Sequence, residues 1–419
     1  MLLYVALAVL FAAPGSRVVL ATAGGSPGWL LGPFRSLSAG FADGKLSGPL
    51  FYLGLWLALL VYAVVLLAAR GIGARLAIGV IAALHLLFLV APPLLSQDVF
   101  SYIAYARLEV VHSLNPYTHS PDSVPGDAVF GFAGSKDATS AYGPLFTIAS
   151  LPLAKLSVSA AFWILKVLTA SATLGIVALA WSCARRLGRD PVFAALAVGL
   201  NPLVLVHVVG GAHNDAFAML AVMGAIWAML PRERPVTSGA LAATAAGIKA
   251  SGAIAGPFIL TGSKRPKEFL AAAAATVAAT AIAALAVFGS KALEAFVLIG
   301  QNQERTTRWS LPQRAADGIS AITGGSESSI VHFTRAGFAA LLAVTLVYLL
   351  RWAWQRRDDP WSWVLAAGWA TFAVLCATAW LVPWYAIWLV PIAAVAQCRW
   401  LSAATLALCA YMLVIAVPL

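Results

Sequence analysis

Charge is what this sequence has least of. Asp, Glu, Lys and Arg make up 10% of its 419 residues and hydrophobic residues 61%, too few charged groups to cover a soluble surface of that size. The mean hydropathy of +0.88 says the same, so water is excluded as the main solvent. Cysteine is nearly absent as well. Cys183, Cys376, Cys398 and Cys409 lie in or beside apolar runs without metal-type spacing, which argues against a zinc site or a disulfide framework and leaves them inert. A Gly-rich nucleotide-binding turn is missing, as is a pair of acidic residues at hydrolase-like placement. The net charge of +11 does not indicate nucleic acid, because the basic residues sit in short clusters between apolar runs rather than along one face.

What remains is apolar sequence in long runs from Met1 to Leu419. A helix needs roughly 20 such residues to cross a bilayer, and in lipid the backbone must satisfy its own hydrogen bonds. The expected fold is therefore an all-α polytopic membrane protein, one transmembrane domain over 1–419 with about 13 helices (11–13). Spans are placed near 1–21, 50–69, 76–95, 159–184, 191–208, 216–230, 236–248, 252–262, 268–289, 331–350, 361–379, 384–397 and 400–418. The pair over 236–262 is short and also fits one helix broken around Gly247. The run from Met1 to about Ala13 resembles a signal-peptide core but has no positive n-region, and it reads as a shortened first helix.

With alternating spans, the clusters Arg70/Arg75, Arg185/Arg186/Arg189, Arg232/Arg234, Lys264/Arg265/Lys267, Arg351/Arg356/Arg357 and Arg399 all fall on one side. The positive-inside rule makes that side cytoplasmic. The opposite side receives two long loops, 96–158 and 290–330, and the short segments around 210–215, Lys249 and 380–385. The Ala tract over 271–286 suits close helix packing in lipid.

Chemistry concentrates on that opposite side. Gln97-Asp98 directly follows the third span, and a carboxylate so near hydrocarbon is costly unless used or paired. Residues 98–111 read as an amphipathic helix lying on the membrane, with Phe100, Ile103, Leu108 and Val111 toward lipid. Asp98 is then either a first-turn cap or a general base acting on a sugar hydroxyl. Against a phosphate leaving group one carboxylate suffices, because phosphate departs as a stable anion without an acid. His213, Asn214 and Asp215, after Gly210-Gly211, put donors and acceptors at the mouth of the bundle, for capping or for sugar and phosphate contact. Metal binding by His207, His213 and Asp215 is a weak signal. Arg305 and Arg308, three apart, can share a helix face, and their forks match phosphate geometry. Trp309 beside them offers a stacking face or an interfacial anchor. Lys249 is an isolated cation in an apolar stretch, suited to a phosphate oxygen, to Asp215 or to snorkelling. His85 and Lys166, inside spans, read as packing or snorkelling residues. Tyr142-Gly143-Pro144 and Trp380 to Tyr385 break their helices near the interface and present aromatic faces to a sugar or to lipid.

Gln97-Asp98, Asn115-Pro116-Tyr117, Tyr142-Gly143-Pro144-Leu145 and Gly211-Ala212-His213-Asn214-Asp215 together resemble the GT-C glycosyltransferases. Within them the chain is most similar to the polyprenol-phosphate-mannose-dependent α-1,6-mannosyltransferases of actinobacterial lipomannan assembly, over about Pro92 to Tyr385. The resemblance implies inverting transfer of mannose from a polyprenyl monophosphate to a mannan or glycolipid acceptor at the outer face of the plasma membrane. Asp98 would be the base, with Arg305, Arg308 and Lys249 on the donor phosphate. Sugar and acceptor contacts would fall to Gln97, Tyr102, Tyr142, His213, Asn214, Asp215, Trp309, Trp384 and Tyr385. No cofactor is expected; a divalent metal is conceivable without support. The competing readings are a lipid or sugar transporter, which inverted repeats and mid-membrane charges would favour, and a related transferase of arabinose or glucose.

Overall fold

A computed structural model of the protein describes residues 1–9, 19, 27–34, 36, 44–230, 233–293, 307–324 and 327–415. Among the described residues every regular element is a helix. In chain order the principal ones are α1 (Leu2–Val9), α2 (Gly44–Leu67), α3 (Ala74–Val90), α4 (Asp98–His112), α5 (Pro144–Ser150), α6 (Val158–Arg186) and α7 (Pro191–Gly199). They continue as α8 (Asp215–Met229), α9 (Pro235–Ile248), α10 (Gly256–Thr261), α11 (Pro266–Phe288), α12 (Leu311–Thr323) and α13 (Glu327–Gln355). Last come α14 (Pro360–Ala377), α15 (Ala386–Ala396) and α16 (Arg399–Ile415).

Among the described residues, five helical segments are long and apolar enough to cross a bilayer: Gly48–Leu67, Val158–Arg186, Pro266–Ala292, Ser329–Gln355 and Pro360–Ala377. Other expected spans are shorter, and local sequence explains why. Pro92 and Pro93 cannot continue α3, since proline supplies no N–H. Asn201-Pro202 ends α7, and a six-residue π-helical segment, Val204–Val209, follows before the turn into α8. The stretch over 236–262 is one path broken at Lys249, whose backbone is extended (φ −155°, ψ 134°), two residues beyond the expected break. Freed carbonyls find side chains: Tyr4 donates to Leu200 O (2.6 Å) and Tyr62 to Ala197 O (2.7 Å).

The basic clusters meet at one end of the bundle. Arg186 donates to the carbonyls of Trp227 and Leu230 at 2.5 and 2.7 Å, capping the end of α8. Arg265 donates to Glu233 O (3.0 Å), and Arg189 lies over the Trp361 ring (5.3 Å). Gln397 donates to Asp190 O (2.6 Å) just before Arg399, and the turn carrying Arg70 packs against α7. The motif-bearing segments occupy the other end. At the periphery, only 6% of the most apolar window of Pro266–Ala292 and of Ser329–Gln355 is buried, leaving those helices apolar surface suited to lipid.

α4 departs from expectation. Phe100, Ile103 and Leu108 are buried in protein, and only Val111 of the expected lipid face is exposed. Phe100 stacks on Phe162 of α6 (5.5 Å, 6°) and on Phe132 (5.2 Å), with Trp29 against all three rings. Apolar spacing marks the face to be buried without saying whether lipid or protein buries it, and here aromatic rings from three segments do. Asn115 fastens the following loop: its amide donates to Phe288 O at the end of α11 (2.8 Å), while Tyr117 donates to Thr147 Oγ1 (3.0 Å) and Tyr142 O (3.1 Å).

α9 and α11 touch closely at Gly239, where an added Cβ would collide with the Phe269 carbonyl. Gly239→Ala is expected to cost about 1–3 kcal/mol by overpacking. Thermal unfolding in detergent should show the loss as a lowered midpoint, and an unchanged midpoint would refute the tight contact.

Candidate active site at the motif-bearing end

Two backbone reversals deliver the polar groups. Leu95 (φ 59°) precedes Asp98, and Ala212 (φ 55°) precedes His213. Both are non-glycine residues in the left-handed region, which costs of order 1–3 kcal/mol each and persists only where the surroundings enforce it. Asp98 opens α4 as its acidic first-turn residue, with Gln97 as the N-cap, which makes no side-chain capping bond; the Asp98 N–H donates to Ser96 Oγ (3.2 Å).

Asp215, fully buried at the first turn of α8, is heavily engaged. Lys249 Nζ donates to both of its oxygens at 2.8 Å, and Trp388 Nε1 donates to Oδ1 at 2.6 Å. The Lys249 ammonium also lies over the rings of Tyr385 (5.1 Å) and Trp388 (5.8 Å), which stack on each other at 3.9 Å. Lys249 thus takes the Asp215 partnership among its sequence alternatives, and Asp215 is an ion-pair member rather than a helix cap. The extended backbone at Lys249 aims its side chain at α8. Gly143 braces that break: its N–H donates to Ile248 O (3.1 Å), and an added Cβ would strike the Gly247 carbonyl.

Asp98 keeps a third of its side-chain surface accessible, and its nearest ionisable neighbour is His213, with Nδ1 3.5 Å from Oδ2. The imidazole is fully buried, stacked on Trp384 (4.0 Å, 17°) and backed by Gly211, where a Cβ would fall 2.9 Å from Cδ2. Burial, with Lys249 and then His207 adding repulsion, holds the His213 ring well below its ordinary range and hence neutral. Burial pushes the Asp98 carboxyl up to about 6; the Lys249 ammonium pulls it down and the Asp215 carboxylate pushes it up. Asn214 N donates to Tyr102 Oη (3.2 Å), and that hydroxyl donates to Asn214 Oδ1 (3.4 Å). Tyr142 packs edge-on to Tyr102 at 4.8 Å. Burial foremost and then the Asp98 carboxylate raise both phenols well above 10, so they stay protonated.

The structure therefore gathers Asp98, Tyr102, Tyr142, His213, Asn214, Asp215, Lys249, Trp384 and Tyr385. Gln97 lies beside them, its side chain against Gly134. Arg308 and Trp309 form a neighbouring group: the exposed Arg308 turns onto the Trp309 ring (5.7 Å), as does Arg314 (4.9 Å). That segment is tied to the stretch before Trp384, since Thr307 N donates to Ala379 O (2.9 Å) and Leu381 N to Thr307 Oγ1 (3.2 Å). Arg305 lies outside the described residues. Among the described residues no three His, Cys, Asp or Glu side chains are grouped to hold a metal. Sequence reasoning missed Trp388, whose spacing of three from Tyr385 could have marked a shared helical face. Of the two readings of Lys166, interior packing holds and snorkelling does not: its ammonium donates to three main-chain carbonyls.

Fold and site define an all-helical membrane protein with one partly accessible carboxylate beside a buried ion pair and a wall of aromatic rings. The chain belongs to the alpha-(1->6)-mannopyranosyltransferase family, whose N-terminal-domain profile matches residues 6–265. It is 28% identical over 358 residues to alpha-(1->6)-mannopyranosyltransferase A of Mycobacterium tuberculosis, covering 79% of this chain and 67% of that protein. It is 28% identical over 190 residues to the Corynebacterium glutamicum protein of the same name, covering 41% and 35%. Alpha-(1->6)-mannopyranosyltransferase B of C. glutamicum is 24% identical over 343 residues, covering 72% and 56%. No solved structure matches the chain significantly.

Breaking a buried ion pair strands one charge and typically costs about 3–5 kcal/mol, whereas removing both partners costs far less. Lys249→Met should therefore destabilise the protein more than the double variant Lys249→Met/Asp215→Asn. Equal unfolding midpoints for the two in detergent would contradict the pairing.

Proposed function

We propose that this protein is an inverting mannosyltransferase that moves mannose from a polyprenyl-phosphate-mannose donor to a mannan or glycolipid acceptor. The observation that carries the reading is the division of labour between two carboxylates. Asp215 is spent on Lys249 and Trp388, while Asp98 faces a neutral imidazole and keeps accessible surface. Asp98 is then the group available to take a proton.

In the proposed step the acceptor hydroxyl oxygen attacks the anomeric carbon from the side opposite the phosphate. The new C–O bond forms as the bond from that carbon to the phosphate oxygen breaks. The electron pair leaves with the phosphate, and the hydroxyl proton passes to Asp98. A carboxyl with a pKa of about 6 is mostly ionised at neutral pH yet basic enough to accept that proton. The protonated phenols of Tyr102 and Tyr142 and the faces of Trp384 and Tyr385 suit sugar hydroxyls and ring faces. Gln97, His213 and Asn214 supply further polar edges. The donor phosphate falls to Lys249 together with Arg308 and Arg305. Because Lys249 is already balanced by Asp215, the arginines must bring the surplus positive charge, with Trp309 as the platform for Arg308.

The same reading takes about 13 spans with the basic end in the cytoplasm and the site at the outer face of the plasma membrane, where a lipid-linked donor is reached from the bilayer. Purified protein in detergent, given a panel of polyprenyl-phosphate sugars and short mannosides, should lengthen the mannosides with the mannosyl donor. Transfer from an arabinosyl or glucosyl donor alone would overturn the sugar assignment. Inactivity in detergent, with sugar or lipid movement regained in sealed vesicles, would point to a transporter. Asp98→Asn should remain folded, bind donor and lose about 10²- to 10⁴-fold in turnover. A base must be ionised, so kcat/KM should fall as pH drops through about 6; a flat profile from pH 5 to 8 would remove Asp98 from that role.

A further inference from the structure

Lys166 sits inside α6 with none of its surface exposed, though an ammonium in this setting is costly unless it does something. Its Nζ donates to Phe88 O (2.6 Å), Gly210 O (2.8 Å) and Val209 O (3.3 Å), matching the three protons an ammonium offers. These carbonyls have a common origin. Phe88 O would normally accept from the residue four ahead, but that residue is Pro92, which has no N–H. Gly210 O would accept from Asn214, whose N–H instead donates to Tyr102. Val209 O has only a long contact from Ala212 N (3.4 Å), because His213 N reaches back to Val208 O. Each orphaned carbonyl thus results from a local break that lets the chain turn toward the site. One break leads to Asp98 and the others to His213, Asn214 and Asp215.

We infer that Lys166 is a positioning residue that ties the Asp98-bearing segment to the His213–Asp215 segment from beneath, setting the placement of the base against its neighbours. The inference rests on the assignment of Asp98 as the base for its kinetic consequence, but not for its structural one. Uncoupling the two segments should harm the chemical step more than donor binding, since Lys166 itself touches no substrate.

The test is Lys166→Met, alone and combined with Asp98→Asn. The expected single-variant result is a fall in kcat of about tenfold or more with donor KM within about twofold. In the Asp98→Asn background the same change should alter the residual rate by less than about twofold, because a residue acting through the base has nothing left to position. Equal losses in both backgrounds, or a change in KM alone, would overturn the inference. Amide hydrogen exchange reads the clamp without any activity. In Lys166→Met, exchange should quicken at residues 94–98 and 211–215 but not at the opposite end around 186–190. Quickening everywhere, or nowhere, would overturn the clamp. Should wild-type protein prove inert with every donor, the function proposed above fails while the exchange result still decides the clamp. If Lys166→Met does not accumulate folded, Lys166→Gln replaces it: its amide offers at most two of the three donors, so kcat should again fall with donor KM held; wild-type kcat would count against the clamp.

Discussion

A buried carboxylate that must be neutralised where water is scarce is the constraint on which the rest of this structure depends. Asp215 lies at the start of a helix with no exposed surface, and the cost of leaving it alone there would be several kcal/mol. Lys249 supplies the countercharge and Trp388 the remaining donor. To deliver them, the path after α9 breaks into extended backbone and the first turn of α15 turns the Trp388 ring toward Asp215. The break at Lys249 thus serves to satisfy one charge, and with the proline-set breaks at this end it opens the space in which the other polar groups assemble.

The same logic extends through the main chain. Pro92, the π-helical segment and the reversal at Ala212 each take carbonyls out of their helical ladders, and a backbone group left unpaired near lipid is expensive. Lys166 returns a partner to these groups from α6, and Tyr4 and Tyr62 do the same for the carbonyls at the end of α7. The bundle is regular where it needs only to cross lipid and irregular where it presents chemistry. Irregular backbone is tolerated at that depth only when buried in protein, and here it is.

Membership in a mannosyltransferase family fits this arrangement without being required by it. Aromatic faces, protonated phenols and a single accessible carboxylate suit a sugar and a leaving group that departs as a stable anion. The charge balance divides the labour further. With Lys249 committed to Asp215, the buried part of the site carries no positive surplus of its own, while Arg308 and Arg314 gather at the Trp309 ring.

Composition and hydropathy by themselves determined the solvent: a chain this poor in charge belongs in lipid, and its long continuous apolar runs belong there as helices, which satisfy their backbone internally. The clustering of arginine between apolar runs determined which helix ends come together, and contacts among those ends agree with it. Which polar residues stand out was also legible, since Asp98, Asp215 and Lys249 are conspicuous against their apolar surroundings. Tertiary structure alone decided their roles. Lys249 and Asp215 are 34 residues apart, Asp215 and Trp388 173, and Lys166 and Phe88 78, so no local pattern encodes who neutralises whom. It also decided that α4 is buried by phenylalanines rather than by lipid, because an apolar stripe specifies the need for cover and not its source.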